Sequence, residues 1–441
     1  MQTNIATEFQ SDPDVQISEQ QLRTCVHCGF CNATCPTYLI TGNELEGPRG
    51  RIYLIKNLLE GKIEPSAKTL AHIDNCLGCL ACETTCPSGV SYSHLLEDVR
   101  PRLENLEIRD FWDQVLRTVL THLLPYPGRF RLALRFAWLG RLTSFMLPAR
   151  FRPLLAMAPD SLPPPATLAN PGTIPAAAPD GSPRRMRVAL LTGCAQQVIG
   201  PSINDAAVRL LTRLGAEIVI PSSATCCGAL TYHMGERARS LELMRRMVEA
   251  WYAEIEHHGL DAIVLTTSGC GAAVREYGHI FRNDPELAQK AAAVTELVRD
   301  VSEVVDQLGL EPLQEVEPLT VAYHDACSLQ HGQKVKEEPR RLLRQAGFNL
   351  VEVPEAHICC GSAGTYNMLR PELAKQLQER KCANVSLTGA DVVAAGNIGC
   401  LEQIGGGCAL PVLHTVELLD WATGGPKPQS LVGSTYKTSS T

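Results

Sequence analysis

Eight cysteines near the amino end fall into two identical arrays, CVHCGFCNATCP from Cys25 to Pro36 and CLGCLACETTCP from Cys76 to Pro87. Each reads C-x2-C-x2-C-x3-C-P, a spacing at which three thiolates of a short loop converge on one iron–sulfur cube and the fourth reaches a second cube. On that rule one [4Fe–4S] cluster takes Cys25, Cys28, Cys31 and Cys86, and the other takes Cys35, Cys76, Cys79 and Cys82. The arrays come as a pair because each completes the other's cage. Proline after the fourth cysteine turns the chain out of the loop, where its missing N–H costs nothing. The small residues Gly29, Ala33, Gly78 and Ala81 let backbone amides approach sulfur. Zinc would also accept four thiolates, but zinc sites usually pair two separated CxxC units. The chemistry of such a cluster pair is electron carriage.

A second cysteine pattern repeats later in the chain. Cys194 precedes Cys226-Cys227-Gly228, and Cys327 precedes Cys359-Cys360-Gly361, with both landmarks offset by 133 residues. Each copy continues with Thr-Tyr (Thr231-Tyr232, Thr365-Tyr366) and a later Gly-Cys, at Cys270 and Cys400. Four chemistries fit these tetrads: a further iron–sulfur centre, a zinc site, a dithiol redox site, or buried small apolar side chains. His233, His324 and His357 lie near the runs, and a lone core histidine is more often a hydrogen-bonded structural residue than a ligand. Cys382 and Cys408 fall outside the repeat and are read as structural.

These residues need elements to hold them. GPRGRIYLIKNLLEG, from Gly47 to Gly61, places Ile52, Ile55, Leu58 and Leu59 on one helical face, to pack between the two cysteine loops. After residue 185, short apolar runs such as MRVALLTGC and DAIVLTTSGC alternate with helical stretches, the pattern of a mostly parallel α/β sheet. The cysteines follow those runs and should meet at the carboxyl edge, where the two copies face each other. The fold expected is an α-helical ferredoxin-like domain with two [4Fe–4S] clusters, followed by two α/β cysteine-rich (CCG) repeats. The boundaries read as a loose tail (1–20), the two-cluster domain (21–105), basic amphipathic helices (106–153), a Pro/Ala linker (154–185), repeat 1 (186–312), repeat 2 (313–423) and a disordered tail (424–441). Between Asp113 and Asp160 there are seven arginines and no acid, so residues 106–153 could lie on an anionic membrane with arginines outward, or pack on protein.

The 441 residues suffice for several domains, and 45% hydrophobic with 20% charged residues is an ordinary globular balance. A net charge of −7 and 5% aromatics argue against a nucleic-acid partner. Eighteen cysteines without an apolar amino-terminal leader suit a reducing cytoplasm better than a disulfide network. No dinucleotide or P-loop fingerprint occurs.

Taken together, the two ferredoxin-type arrays, the paired Cys…CCG…Cys repeats and Gly42, Glu44 and Pro48–Ile52 resemble the glycolate oxidase iron–sulfur subunit family. Related families are the iron–sulfur subunit of anaerobic glycerol-3-phosphate dehydrogenase, lactate-utilisation proteins and heterodisulfide reductase subunits. The resemblance implies a non-catalytic electron-transfer subunit of an oxidoreductase, with an FAD-containing partner that oxidises glycolate to glyoxylate and a second flavoprotein-like subunit. It also implies delivery to membrane quinone, hence a cytoplasmic protein at the inner face of the membrane. A full heterodisulfide-type repeat ends in CxxC, whereas Thr267 and Asn397 replace the first cysteine here, so only the eight N-terminal ligands carry over. A glycerol-3-phosphate or lactate donor and a thiol-based disulfide reductase are the alternatives.

Overall fold

In the computed structural model of the chain, the described residues are 1–432 apart from 105, 107, 143, 144, 146, 147, 179, 180, 182 and 313–315. The end of the expected C-terminal tail and the expected boundary between the repeats lie outside them.

Helices Pro13–Thr24, Pro48–Leu59, Ala67–Asp74 and Tyr92–Glu104 build the N-terminal unit around Leu22, Ile55, Leu59, Ile73 and Leu95. Ile52, Ile55 and Leu59 point one face of Pro48–Leu59 into this core, while Leu58 packs at its margin. The first twenty residues are not a loose tail. Asp12 caps the helix Pro13–Thr24 by accepting from the amides of Asp14 and Val15, and Ile5 and Val15 are buried. The acidic look of that stretch hid an amphipathic turn pattern with few but well-placed apolar residues.

The C-terminal half contains two sheets. Strands β1 (Gly172–Ile174), β2 (Met186–Leu191), β3 (Ala216–Ile220), β4 (Ala262–Leu265) and β5 (Val298–Asp300) form the first, in the order β1-β3-β2-β4-β5. The second contains β6 (Thr320–His324), β7 (Asn349–Glu352), β8 (Val392–Ala395) and β9 (Val412–His414), in the order β7-β6-β8-β9. Apart from β1, every pairing is parallel, so β3-β2-β4-β5 and β7-β6-β8-β9 are the same topology twice. The central strands are apolar on both faces, as helix-covered parallel sheets require. Val188 and Leu190 of β2 enter a core shared by both repeats, while Ala189 and Leu191 face a second core with Met244, Met247 and Trp251.

The repeats interlock reciprocally. Pro201–Arg213 of repeat 1 packs on Thr415–Ala422 of repeat 2, and Val301–Leu308 of repeat 1 packs on Glu337–Gln345 of repeat 2. Arg209 and Arg213 reach the buried Asp420 across the first of these contacts. At the carboxyl edges the amide of Ser268 donates to the Gly396 carbonyl (3.1 Å), so the two edges face each other as the sequence implied.

Two expectations need correction. The expected Pro/Ala linker of 154–185 is partly structured: Arg152–Met157 is helical and β1 pairs antiparallel with β3 at the sheet edge. An edge strand of three residues needs few donors, so nearby prolines do not prevent it. The polar stretch after 424 is ordered through 432, because Leu431 is buried in the shared core.

Helices Phe111–Leu123 and Pro127–Leu142 supply Leu116, Leu120, Leu124 and Phe130 to a small core with Val198 and Met234. Several of the segment's arginines bind acids or carbonyls of the chain itself, and Arg117 is buried. Arg117 binds Asp74 and Asp113, Arg150 binds Asp110 and Asp113, Arg131 binds the Pro163 carbonyl, and Arg141 binds Asp160 and the Leu155 carbonyl. Buried acids and loop carbonyls need partners, and these guanidiniums are the cations within reach. The opposite face leaves Phe111, Trp112, Leu132, Phe136, Leu142 and Phe145 exposed.

Candidate metal centres

The two N-terminal arrays fold into loops of matching shape. His27 and Gly29 in the first, and Gly78 and Leu80 in the second, all have positive φ (59°, 88°, 63° and 62°). These are the second and fourth residues after each leading cysteine. Left-handed residues there wrap the chain and turn amides inward, and the Gly78 amide donates to Cys76 Sγ at 3.4 Å. Each array spends its single loop glycine at a different one of the two positions, so His27 and Leu80 hold a conformation that L residues seldom adopt.

The sulfurs group crosswise. Cys31 is neighboured by Cys25, Cys86 and Cys28, and these four line one cavity with Ile52, Val90 and Tyr92. Cys82 is neighboured by Cys79, Cys76 and Cys35. Cys82 also lines the first cavity, so the two sets are adjacent. Burial, with Cys25 and Cys86 close by, pushes the Cys31 thiol up to about 11, and Cys79 and Cys82 are pushed well up by burial. Thiolates crowded this way persist only around compensating positive charge, which the iron of a cluster supplies. The donor set therefore fits the [4Fe–4S] group.

The residues around the second set explain the PRGRI stretch. Arg51 is 1% exposed, and its guanidinium donates to the His72 carbonyl (2.7 Å), Thr37 Oγ1 (3.2 Å) and Glu46 (2.8 Å), with Nη1 4.0 Å from Cys35 Sγ. Glu46 also accepts from Asn75 at 3.1 Å and pairs with His72 at 2.5 Å. Glu44 accepts from Asn32 inside the first array and from Arg49 (2.6 Å), tying that loop to the helix. Sequence reasoning found this motif but not its role, because Arg51, Thr37 and His72 meet only in space.

In repeat 1, Cys226 Sγ lies 3.5 Å from Cys194 Sγ, and Cys227 has Cys226 and Cys270 as hydrogen-bonding neighbours. In repeat 2, Cys327 and Cys359 are 3.7 Å apart, and Cys360 neighbours Cys359 and Cys400. Every one of these cysteines sits beyond the carboxyl end of a strand or in the following helix turn. Cys79 has Cys327 among its closest charged neighbours, so the second N-terminal set abuts the repeat 2 tetrad.

The three histidines differ. His357 is exposed and offers its carbonyl to His331 Nε2 (3.3 Å), while His331 Nδ1 lies 2.8 Å from Thr84 Oγ1. Burial lowers His331 to about 4, so it is the neutral Nε2–H form that joins repeat 2 to the second array. His233 lies beside Cys227. His324 is 1% exposed, with neither ring nitrogen hydrogen-bonded, and one nitrogen lies within 4.8 Å of the Cys360 and Cys400 sulfurs. Cys382 and Cys408 form a disulfide, a pairing their separation did not reveal.

Residues 21–90 match the family model of a 4Fe-4S dicluster domain, and residues 188–275 and 321–405 each match a cysteine-rich domain. The chain is 39% identical over 427 residues to the glycolate oxidase iron-sulfur subunit of Escherichia coli, covering 96% of this chain and 99% of that one. It is 34% identical to the probable glycolate oxidase iron-sulfur subunit of Bacillus subtilis, over 90% of this chain and 91% of the relative. Similarity to lactate utilization protein A of Geobacillus thermodenitrificans, at 33% identity, spans 53% of this chain and 99% of that protein. A crystal structure of a hypothetical protein from Helicobacter pylori shares the fold, with a TM-score of 0.53 at 13% identity over 96% of this chain and 75% of that one. With its dicluster loops, paired cysteine-rich domains and near full-length similarity, the chain belongs to the glycolate oxidase iron–sulfur subunit family.

Proposed function

We propose that this chain carries electrons for a glycolate-oxidising complex, accepting them from an FAD-bearing partner and passing them towards membrane quinone. The observation supporting it most is the crosswise grouping of eight cysteines into two adjacent tetrads, the second abutting the repeat 2 cysteines. Cys25, Cys28, Cys31 and Cys86 would hold one [4Fe–4S] cluster, and Cys35, Cys76, Cys79 and Cys82 the other. Such clusters supply one-electron carriage when bound. The chain's part is to hold thiolates in place, exclude water with Ile52, Val90 and Tyr92, and offer inward amides and the Arg51 cation to the sulfurs.

The remaining members of the complex follow from the family resemblance: a glycolate-oxidising flavoprotein, a second flavoprotein-like subunit, and a membrane surface on the cytoplasmic side. The exposed aromatic and leucine face of 111–145 supports the membrane contact, although its arginines are largely spent on internal partners. No helix among the described residues is long and apolar enough to cross a bilayer.

The test is anaerobic co-purification with the flavoprotein, followed by addition of glycolate, lactate or glycerol 3-phosphate. Glycolate should bleach the visible cluster absorbance and produce a paramagnetic signal; lactate or glycerol 3-phosphate should leave both unchanged. Glycolate oxidation by the isolated chain with a dye, or by the complex with its clusters left oxidised, would refute the reading.

A further inference from the structure

The two repeats share a topology but not a donor set. His324 is the last residue of β6, three positions before Cys327; the corresponding last residue of β2, three before Cys194, is Leu191. Leu191 is 4% exposed, so the fold is content with an apolar side chain at this strand end. Repeat 2 instead buries an imidazole there, 1% exposed, without a hydrogen bond to either nitrogen. A neutral imidazole carries one donor and one acceptor, and leaving both unmet in a core is unfavourable unless something else engages the ring.

What lies opposite the ring decides what engages it. One His324 nitrogen, Cys360 Sγ and Cys400 Sγ all lie within 4.8 Å of one another, and all three residues are buried. Bonds of about 2.3 Å to sulfur and about 2.0 Å to nitrogen, meeting at a tetrahedral angle, put such donors about 3.6 Å apart. The triad is therefore within a small side-chain adjustment of gripping one ion. Donors to separate corners of an iron–sulfur cube must stand further apart, because a metal–metal edge intervenes. Lys381, itself 1% exposed and donating to the Glu355 carbonyl (3.0 Å), sits beside Cys359, Cys360 and Cys400. Asn397, standing where the fuller repeat has its first CxxC cysteine, donates to Cys400 Sγ at 3.3 Å.

We infer that repeat 2, unlike repeat 1, holds a single thiophilic divalent ion, zinc or ferrous iron, with His324 joining Cys360 and Cys400 as ligands. The nitrogen ligand takes the place of a sulfur in the donor set, and the all-cysteine tetrad of repeat 1 has no counterpart to it. This goes beyond the electron-carrier reading and does not need it, since the eight N-terminal cysteines play no part in the triad.

The experiment uses the full chain, purified anaerobically, incubated with zinc or ferrous ion and freed of unbound metal. Iron, zinc and acid-labile sulfide are then counted per chain. Wild type should carry about one ion beyond the iron matched by sulfide, and element analysis says which metal it is. His324→Leu should lose that ion while keeping its sulfide and visible cluster absorbance. His324→Cys, which retains a thiophilic donor, should keep the ion; after cobalt substitution the nitrogen hyperfine coupling of wild type should vanish in it. Wild type without an unmatched ion, His324→Leu with an unchanged inventory, extra iron accompanied by equal sulfide, or coupling that persists in His324→Cys would each overturn the assignment. Failure of the electron-carrier reading would look different: loss of sulfide and colour from wild type itself.

Discussion

At the scale of single residues, Arg51 shows how a buried charge bears on an electron carrier. Its guanidinium is 4.0 Å from Cys35 Sγ and pairs with the buried Glu46 at 2.8 Å. Adding an electron to a cluster adds negative charge, so a neighbouring cation favours the reduced state. Replacing Arg51 with Gln should lower the potential of the second set by about 50–100 mV, the equivalent of about 1–2 kcal/mol for one electron. The first set should move less. A potentiometric titration followed by paramagnetic signals separates the two, and equal shifts would refute this role. Arg51→Lys should recover part of the difference. Cys35 and Arg51 are sixteen positions apart, and neither composition nor period pairs them. The eight cysteines proposed as ligands stood out because each array is local to one short loop, whereas the residues around Cys35 converge from four segments.

At the scale of elements, the start of Pro48–Leu59 and the helices of 111–142 behave oppositely. A β-carbon at Gly50 would meet the Glu44 carbonyl backbone, which no rotamer change can relieve. Gly50→Ala should therefore cost about 2 kcal/mol or more of N-terminal domain stability and loosen the first array, read as a lower urea midpoint and faster loss of visible colour. Leu132 and Phe136, by contrast, are 54% and 57% exposed. Replacing both with Glu should leave the fold intact yet weaken binding to anionic vesicles over tenfold, about 2 kcal/mol or more of lost apolar burial. Retention by sedimentation with vesicles would dispose of the membrane contact. The apolar periodicity of these helices was readable; which face the protein would cover was not. That choice depends on Val198 and Met234, which belong to another domain.

At the scale of the whole molecule, Asp74 joins three units. It lies at the end of Ala67–Asp74 and binds Arg117 of the basic helices (2.9 Å) and Arg370 of repeat 2 (3.0 Å), with Arg109 alongside. Burial alone would raise its pKa, but Arg117, Arg109 and Arg370 outweigh that and hold the carboxyl at about 2, below the ordinary 3.8. A depressed acid stabilises the fold fully above its unfolded value and less as it becomes protonated. The contribution of Asp74 should thus be complete above about pH 4 and fade as the pH falls towards 2. Asp74→Asn leaves three guanidiniums short of a counter-charge and should destabilise by about 3–5 kcal/mol at pH 7. The gap in urea midpoint between variant and wild type should narrow between pH 4 and 2; a gap independent of pH in that window would show that Asp74 acts through shape rather than charge.

Spacing within a dozen residues pointed to the iron–sulfur reading of the two arrays, and repetition at a fixed offset announced the twin cysteine-rich domains, because both are encoded by neighbours along the chain. Strand and helix alternation likewise follows from local apolar pattern. Tertiary packing alone decided that Cys79 meets Cys327, that Arg117 of the basic helices reaches Asp74, and that His324 meets Cys400 across strand ends of one sheet. Such encounters depend on how whole layers stack, and a chain's order carries no direct mark of which distant side chains that stacking will bring within a bond's length.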